Sequence, residues 1–198
     1  MTTTAHLSYE LLCEIFQILC DEPISLHISE DTSLFDKFPW AVGLVCQRWR
    51  LSNPRLWTFF ILDHLEDGTF SDRYIVEMNR RTVMHVERSS QLVPLTIMIE
   101  ACQPRRQSTW RILLSLMHRW KAAVLKLHAP STVDGLRKCR GKMPILESLE
   151  VWDRLPSDLC IDAFESTPRL VQANLLRWDS GFGLLPLSQL KKILDGVT

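Results

Sequence analysis

The sequence predicts an α/β protein in which a small helical module precedes a longer run of alternating strands and helices. Three observations lead there. Apolar residues recur at helical spacing through "LSYELLCEIFQIL", residues 7–19. Short alternating strands, "LESLEV" at 146–151 and "LVQANL" at 170–175, open 24 residues apart. Amphipathic stretches separate such strands, among them "STWRILLSLMHRW" at 108–120.

The first helix starts at Ser8, an N-cap residue, with Glu10 in the first turn where the helix dipole favours an anion. Leu11, Leu12, Ile15, Phe16 and Leu19 then build one broad apolar face. Residues 20–38 carry a proline and several acids without a clean period, and read as an inserted loop. A second helix runs from Pro39, suited to a first helical position, to Arg50. "SNP" breaks it, and "RLWTFFIL" reads as a strand.

Beyond Trp57, strands are expected at "PLTIMIEA" and "VLKLHA" and helices over 71–89, 108–120, 131–141 and 157–166. Leu125 and Leu127 fall 24 residues before Leu149 and Val151, which continues the step seen between 146 and 170. A strand plus a helix repeated every ~20–29 residues is the pattern of a leucine-rich-repeat-like solenoid. The repeats are irregular, and the Asn or Cys that closes a regular repeat is absent. An ordinary α/β domain with coincidental spacing is the other reading. The last unit, "LPLSQLKKILDGVT", begins a further repeat and stops abruptly, so a repeat domain truncated at its C-terminus is expected.

Composition narrows the function classes. The chain has 198 residues, 46% hydrophobic and 23% charged, which is the balance of a folded protein with a sizeable core. Lys+Arg and Asp+Glu both number 23, giving no cationic excess for nucleic acid or a polybasic membrane contact. No apolar run is long enough to span a bilayer, and the N-terminus lacks the basic and apolar regions of a secretory signal. A cytoplasmic or nuclear location is expected. The six cysteines are scattered without a Cys-x-x-Cys pair and the six histidines are singletons, so buried free thiols are expected and no metal or cofactor.

No nucleotide loop, hydrolase elbow or zinc-protease motif is present. Cys46 is the one nucleophile candidate by local density, but it sits in an apolar helix where a thiolate is disfavoured. The chain is therefore read as a non-enzyme.

"LSYELLCEIFQIL" followed by "VCQRWR" resembles an F-box: a leading Leu, an Ile-Phe pair, then Val-Cys-x-x-Trp. Downstream, "NPRLW", "VERSSQLVPLTI", "SLMHRWKAAVLKL", "MPILESLEV" and "TPRLVQANL" are similar to phrases of the F-box proteins abundant in mushroom-forming fungi. The resemblance covers about residues 7–193. It implies an α-helical F-box bundle over 7–56, interrupted by the 20–38 insertion. An irregular leucine-rich-repeat-like strand/helix solenoid would follow over 57–198. It further implies docking onto the Skp-type adaptor of an SCF (Skp–cullin–F-box) ubiquitin ligase, with the repeat domain holding an unknown protein target. Carried over by position, the adaptor-binding residues would be Leu7, Leu11, Leu12, Ile15, Phe16, Val45, Cys46 and Trp49. Two departures stand out. Ser8 takes the place of the family's Pro, and Trp49 and Trp57 are only eight residues apart. These keep open a repeat-type interaction scaffold, or a decaying paralogue, that no longer binds the adaptor.

For each apolar residue of the F-box-like motif, packing inside a small bundle competes with docking. Core packing is the favoured reading for Phe16 and Trp57. On a solenoid, alternate strand positions line one face, here Lys126 and His128, then Glu150 and Trp152, then Asn174 and Leu176. These six are the candidate target-binding residues. For Trp152, packing beneath the loop "GFGLLP" is the competing and slightly favoured reading.

Overall fold

The structure is a computed structural model that describes residues 8, 11, 14, 57–62, 72–101, 107–127, 130–153, 161–176 and 185–195. Of the expected helical module, it describes Ser8, Leu11 and Glu14 alone. Leu11 and Glu14 are helical, and the Ser8 hydroxyl accepts the Leu11 N–H at 3.2 Å, the bond expected of an N-cap. The cap predicted at Ser8 is thus observed.

Among the described residues, six strands form one parallel sheet: β1 (Phe59–Leu62), β2 (Leu95–Ala101), β3 (Trp120–Leu127), β4 (Ser148–Asp153), β5 (Gln172–Leu176) and β6 (Lys192–Asp195). Their order across the sheet is their order along the chain. Adjacent parallel strands need a crossover, and crossovers keep one hand. Strands added always to the same side with crossovers of one hand put the described helices on one face of the sheet. The other face is left to the alternate side chains of the strands.

Burial follows that rule. In β3, Ala123, Leu125 and Leu127 are buried while Ala122, Val124 and Lys126 are half-buried, and β5 alternates in the same way. Inward positions align in rows: Phe60, Ile97, Ala123, Leu149 and Ala173 in one, Ile99, Leu125, Val151 and Leu175 in the next. Among the described residues, three helices cover them: α1 (Asp72–Arg88), α2 (Gln107–Ser115) and α3 (Pro130–Arg137). Met78, Leu113 and Leu136 bring these helices into the same buried cluster. Trp57 belongs to it too, as expected for a core residue.

Polar contacts set the spacing of the helices. Within α1, Glu77 accepts from Arg80 and Arg81 at 2.7 Å, neighbours one turn away on one face. Asn79 then donates to Ser108 at 2.7 Å and accepts from Thr109, tying α1 to the start of α2. Between α2 and α3 the approach is closer. A Cβ at Gly135 would stand 2.7 Å from Trp110 Nε1 and 2.9 Å from Leu114 Cδ1, so only glycine lets α3 lie this near α2.

Three expectations are corrected. The step from β3 to β4 is 26 residues, not 24: Leu125 pairs with Val151, and Ala123 with Leu149. The intervening segment is longer because α3 stops at Arg137 and turns fill 138–147. There, Cys139 N–H reaches Leu136 O at 2.8 Å and Lys142 N–H reaches Cys139 O at 3.0 Å, with Gly141 at φ +75°. The helix expected over 131–141 is correspondingly shorter. Over 157–166, the described residues 161–166 form turns rather than helix. Glu165 N–H bonds three residues back to Asp162 O, the Thr167 hydroxyl occupies the Phe164 carbonyl, and Pro168 disfavours a helical Thr167.

Candidate protein-docking surface

Parallel sheets are ordinarily covered on both faces. Here the described helices all contribute to the cluster on one face, and the opposite face presents half-buried and exposed side chains from every strand between β2 and β5. That face is the candidate site.

Register places its residues. Lys126, Trp152 and Leu176 form one row across β3, β4 and β5, and Met98, Val124, Glu150 and Asn174 form the row beside it. The sequence reading paired Lys126 with Glu150 on a uniform 24-residue step; the 26-residue β3–β4 step moves Lys126 opposite Trp152 instead. The match of Trp152 with Leu176 and of Glu150 with Asn174 stands as expected. His128 lies outside the described residues.

Trp152 is 41% exposed. Its indole N–H donates to Glu150 Oε1 at 2.5 Å, and Asn174 Nδ2 donates to Glu150 Oε2 at 3.1 Å. One carboxylate therefore orients two side chains from two strands. With its N–H satisfied inside the surface, the tryptophan can offer its ring to a partner without leaving a polar group unpaired. Leu176 flanks it with apolar surface and Lys126 with a cation. A partner group stacked here would meet an aromatic plane held by a hydrogen bond.

Two contributors, Met98 and Val124, escaped the sequence reading. The alternation already seen in "PLTIMIEA" and "VLKLHA" is the signal that finds them, once it is carried upstream of Lys126.

The adaptor candidates Leu7, Leu12, Ile15, Phe16, Val45, Cys46 and Trp49 lie outside the described residues. Leu11 is 43% exposed on its helix. Trp57 packs its ring edge-on to His85, with centroids 5.2 Å apart, and Arg88 lies over its face at 4.6 Å. Cys139 is a buried free thiol whose pKa is pushed up by burial, the state expected of the cysteines generally. Among the described residues no cluster of His, Cys, Asp and Glu could hold a metal, and no helix is long and apolar enough to cross a membrane. Compared with known proteins, the chain matches no family model, no curated relative and no solved structure.

Proposed function

We propose that the chain is the substrate-receptor subunit of an SCF-type ubiquitin ligase, docking a Skp-type adaptor through residues 7–56 and a protein target through the open face of the sheet. The observation that carries the target half is the Lys126–Trp152–Leu176 row braced by Glu150 and Asn174. Exposed aromatic anchors beside satisfied polar groups are what protein interfaces concentrate their energy in. The sequential parallel order, with the described helices on one face, supports the leucine-rich-repeat-like solenoid as the finer description of the fold.

For the adaptor half, the Ser8 cap supports a helix starting where the F-box-like motif starts. Ser8 replaces the preset φ of a proline with a side-chain hydrogen bond to the first turn, so this departure does not remove the helix start. Leu11 presents an exposed apolar side chain there. Ubiquitin chemistry would belong to the partners, and this chain would raise the effective concentration of the target beside them.

The test is co-expression with a Skp adaptor followed by size-exclusion chromatography. Wild type should co-elute with the adaptor, and Val45→Asp should abolish the complex while the chain stays folded. Ile15→Ala combined with Trp49→Ala should weaken adaptor binding by about 2–4 kcal/mol, as loss of buried anchors does. A folded wild-type chain that ignores the adaptor would replace this reading with the repeat-type scaffold.

A further inference from the structure

On the helical side of the molecule, away from the open sheet face, a groove of about 810 Å³ runs between α2 and α3 and under the turns that follow. That volume lies within the roughly 300–1,000 Å³ of ordinary ligand sites. Its apolar lining comes from Trp110 and Met117, both buried, from half-buried Leu114 and from exposed Pro144. The walls are fixed: Gly135 lets α3 touch the Trp110 and Leu114 side chains directly, and Trp110 packs on Trp120 with ring centroids 6.5 Å apart. Walls packed this closely have little left to order when the groove is filled.

Its charge is one-sided. The segment "RKCRGK", residues 137–142, holds four cations. Arg137 pairs with Asp134 at 3.5 Å, and Arg140 pairs with Asp162 at 3.6 Å and with Glu165. Lys138 and Lys142, the two that line the groove, pair with no acid among the described residues. Arg111 lies on the opposite wall. Asp134 is the one acid among the described lining residues, and Arg137 already offsets it. Gly141, at φ +75°, carries the chain through the turn between the two lysines.

We propose that this groove binds an acidic segment of a partner protein, with a large apolar side chain seated against the Trp110–Leu114 side and flanking carboxylates beside Lys138 and Lys142. Charge complementarity selects the anionic partner. The apolar lining selects a peptide over a polyphosphate, which has no apolar group to bury against it. This site is separate from the sheet face and does not depend on adaptor binding.

The test is fluorescence anisotropy on the full chain, with a fluorescein-labelled peptide of glutamates around a central phenylalanine. Wild type should bind it saturably. Lys138→Glu combined with Lys142→Glu should weaken binding by about tenfold or more, since reversing two rim charges turns attraction into repulsion. Ser115→Trp, which adds a ring at the exposed mouth without changing charge, should weaken it similarly, and Trp152→Ala should leave it unchanged. Three results would overturn the proposal: no saturable binding by folded wild type, equal binding of a peptide with serine at its centre, or loss of binding in Trp152→Ala with none in Ser115→Trp.

Discussion

Arg119 holds the Val93 carbonyl from two of its nitrogens, Nε at 3.1 Å and Nη2 at 3.0 Å, and it does so while only 3% exposed. Nη2 also donates to the Ser89 hydroxyl at 2.8 Å and to the Ser89 carbonyl at 3.3 Å. The side chain thereby ties the turn that leads into β2 to the 3-10 turn Met117–Arg119 that leads into β3. Burial depresses the guanidinium pKa, so the charge is retained at a cost that its hydrogen bonds offset.

Removing that side chain should therefore hurt more than its exposed neighbours suggest. Arg119→Met keeps the aliphatic stem but leaves the Ser89 and Val93 carbonyls unsatisfied. A loss of about 2–4 kcal/mol is expected, read as a lower urea midpoint with an unchanged slope. Arg119→Lys should recover little of it, because a single ammonium cannot reproduce the forked donors.

Gly135 and Gly141 answer to different constraints, and alanine should separate them. At Gly135 the added methyl meets Trp110 and Leu114, so Gly135→Ala should cost about 1–3 kcal/mol through overpacking. At Gly141 nothing lies within 4 Å of an added Cβ, but φ is +75°. Gly141→Ala should cost about 1–2 kcal/mol through backbone strain alone. Ser90 is the mirror case: a non-glycine at φ 54° after the end of α1. Ser90→Gly should stabilise by up to about 1 kcal/mol, and thermal denaturation of the three variants checks the set.

His85 should make stability depend on pH well above the carboxylate range. It is fully buried between Trp57 and Phe60, and its pKa is pushed down to about 3 from an ordinary 6.5. Burial is the main cause; a hydrogen bond with the Trp57 backbone opposes it and Arg88 adds to it. Below pH 6.5 the unfolded chain takes up a proton that the folded chain refuses until about pH 3. Stability should thus fall as pH falls through that window, by about 1.4 kcal/mol per unit well below the upper limit. Glu77 acts lower down, its pKa held at about 2 by hydrogen bonding to Arg80 and Arg81, so its contribution is lost only below pH 4.5. His85→Leu should flatten the difference between denaturation at pH 7 and at pH 5.

Much of the sheet was legible because alternation and length are local signals. "PLTIMIEA" contains β2, and β4 and β5 each begin two residues inside "LESLEV" and "LVQANL" and run past their ends, to Asp153 and Leu176. Ser8 was legible because a cap is defined by three residues and one bond. Register was not, since the β3–β4 step depends on how α3 ends, and that is decided by turn bonds around Cys139 and by Gly141 rather than by any period. The one-residue irregularity between Leu95 and Thr96, opposite Trp120 and Ala122, is likewise invisible in the sequence. The polar ties were missed for another reason. Arg119, Asn79 and His85 act across 26 to 30 residues or against another element, where their sequence neighbours carry no trace of the contact.

Trp152 offers a way to separate the ring from its anchor. Trp152→Phe keeps an aromatic plane but removes the N–H that Glu150 accepts, so Glu150 Oε1 must turn to water. The residue is exposed, so the stability cost should be small, about 0.5–1.5 kcal/mol for one hydrogen bond to a charged group at the surface. If the ring is the contact and the hydrogen bond only aims it, Trp152→Phe should retain part of the target affinity and Trp152→Ala should lose nearly all of it. Glu150→Ala should fall between them, since it frees both Trp152 and Asn174 while leaving the ring in place. A double-mutant cycle of Trp152→Phe with Glu150→Ala measures the coupling directly. Near-zero coupling would mean that the tryptophan is oriented by packing rather than by the carboxylate.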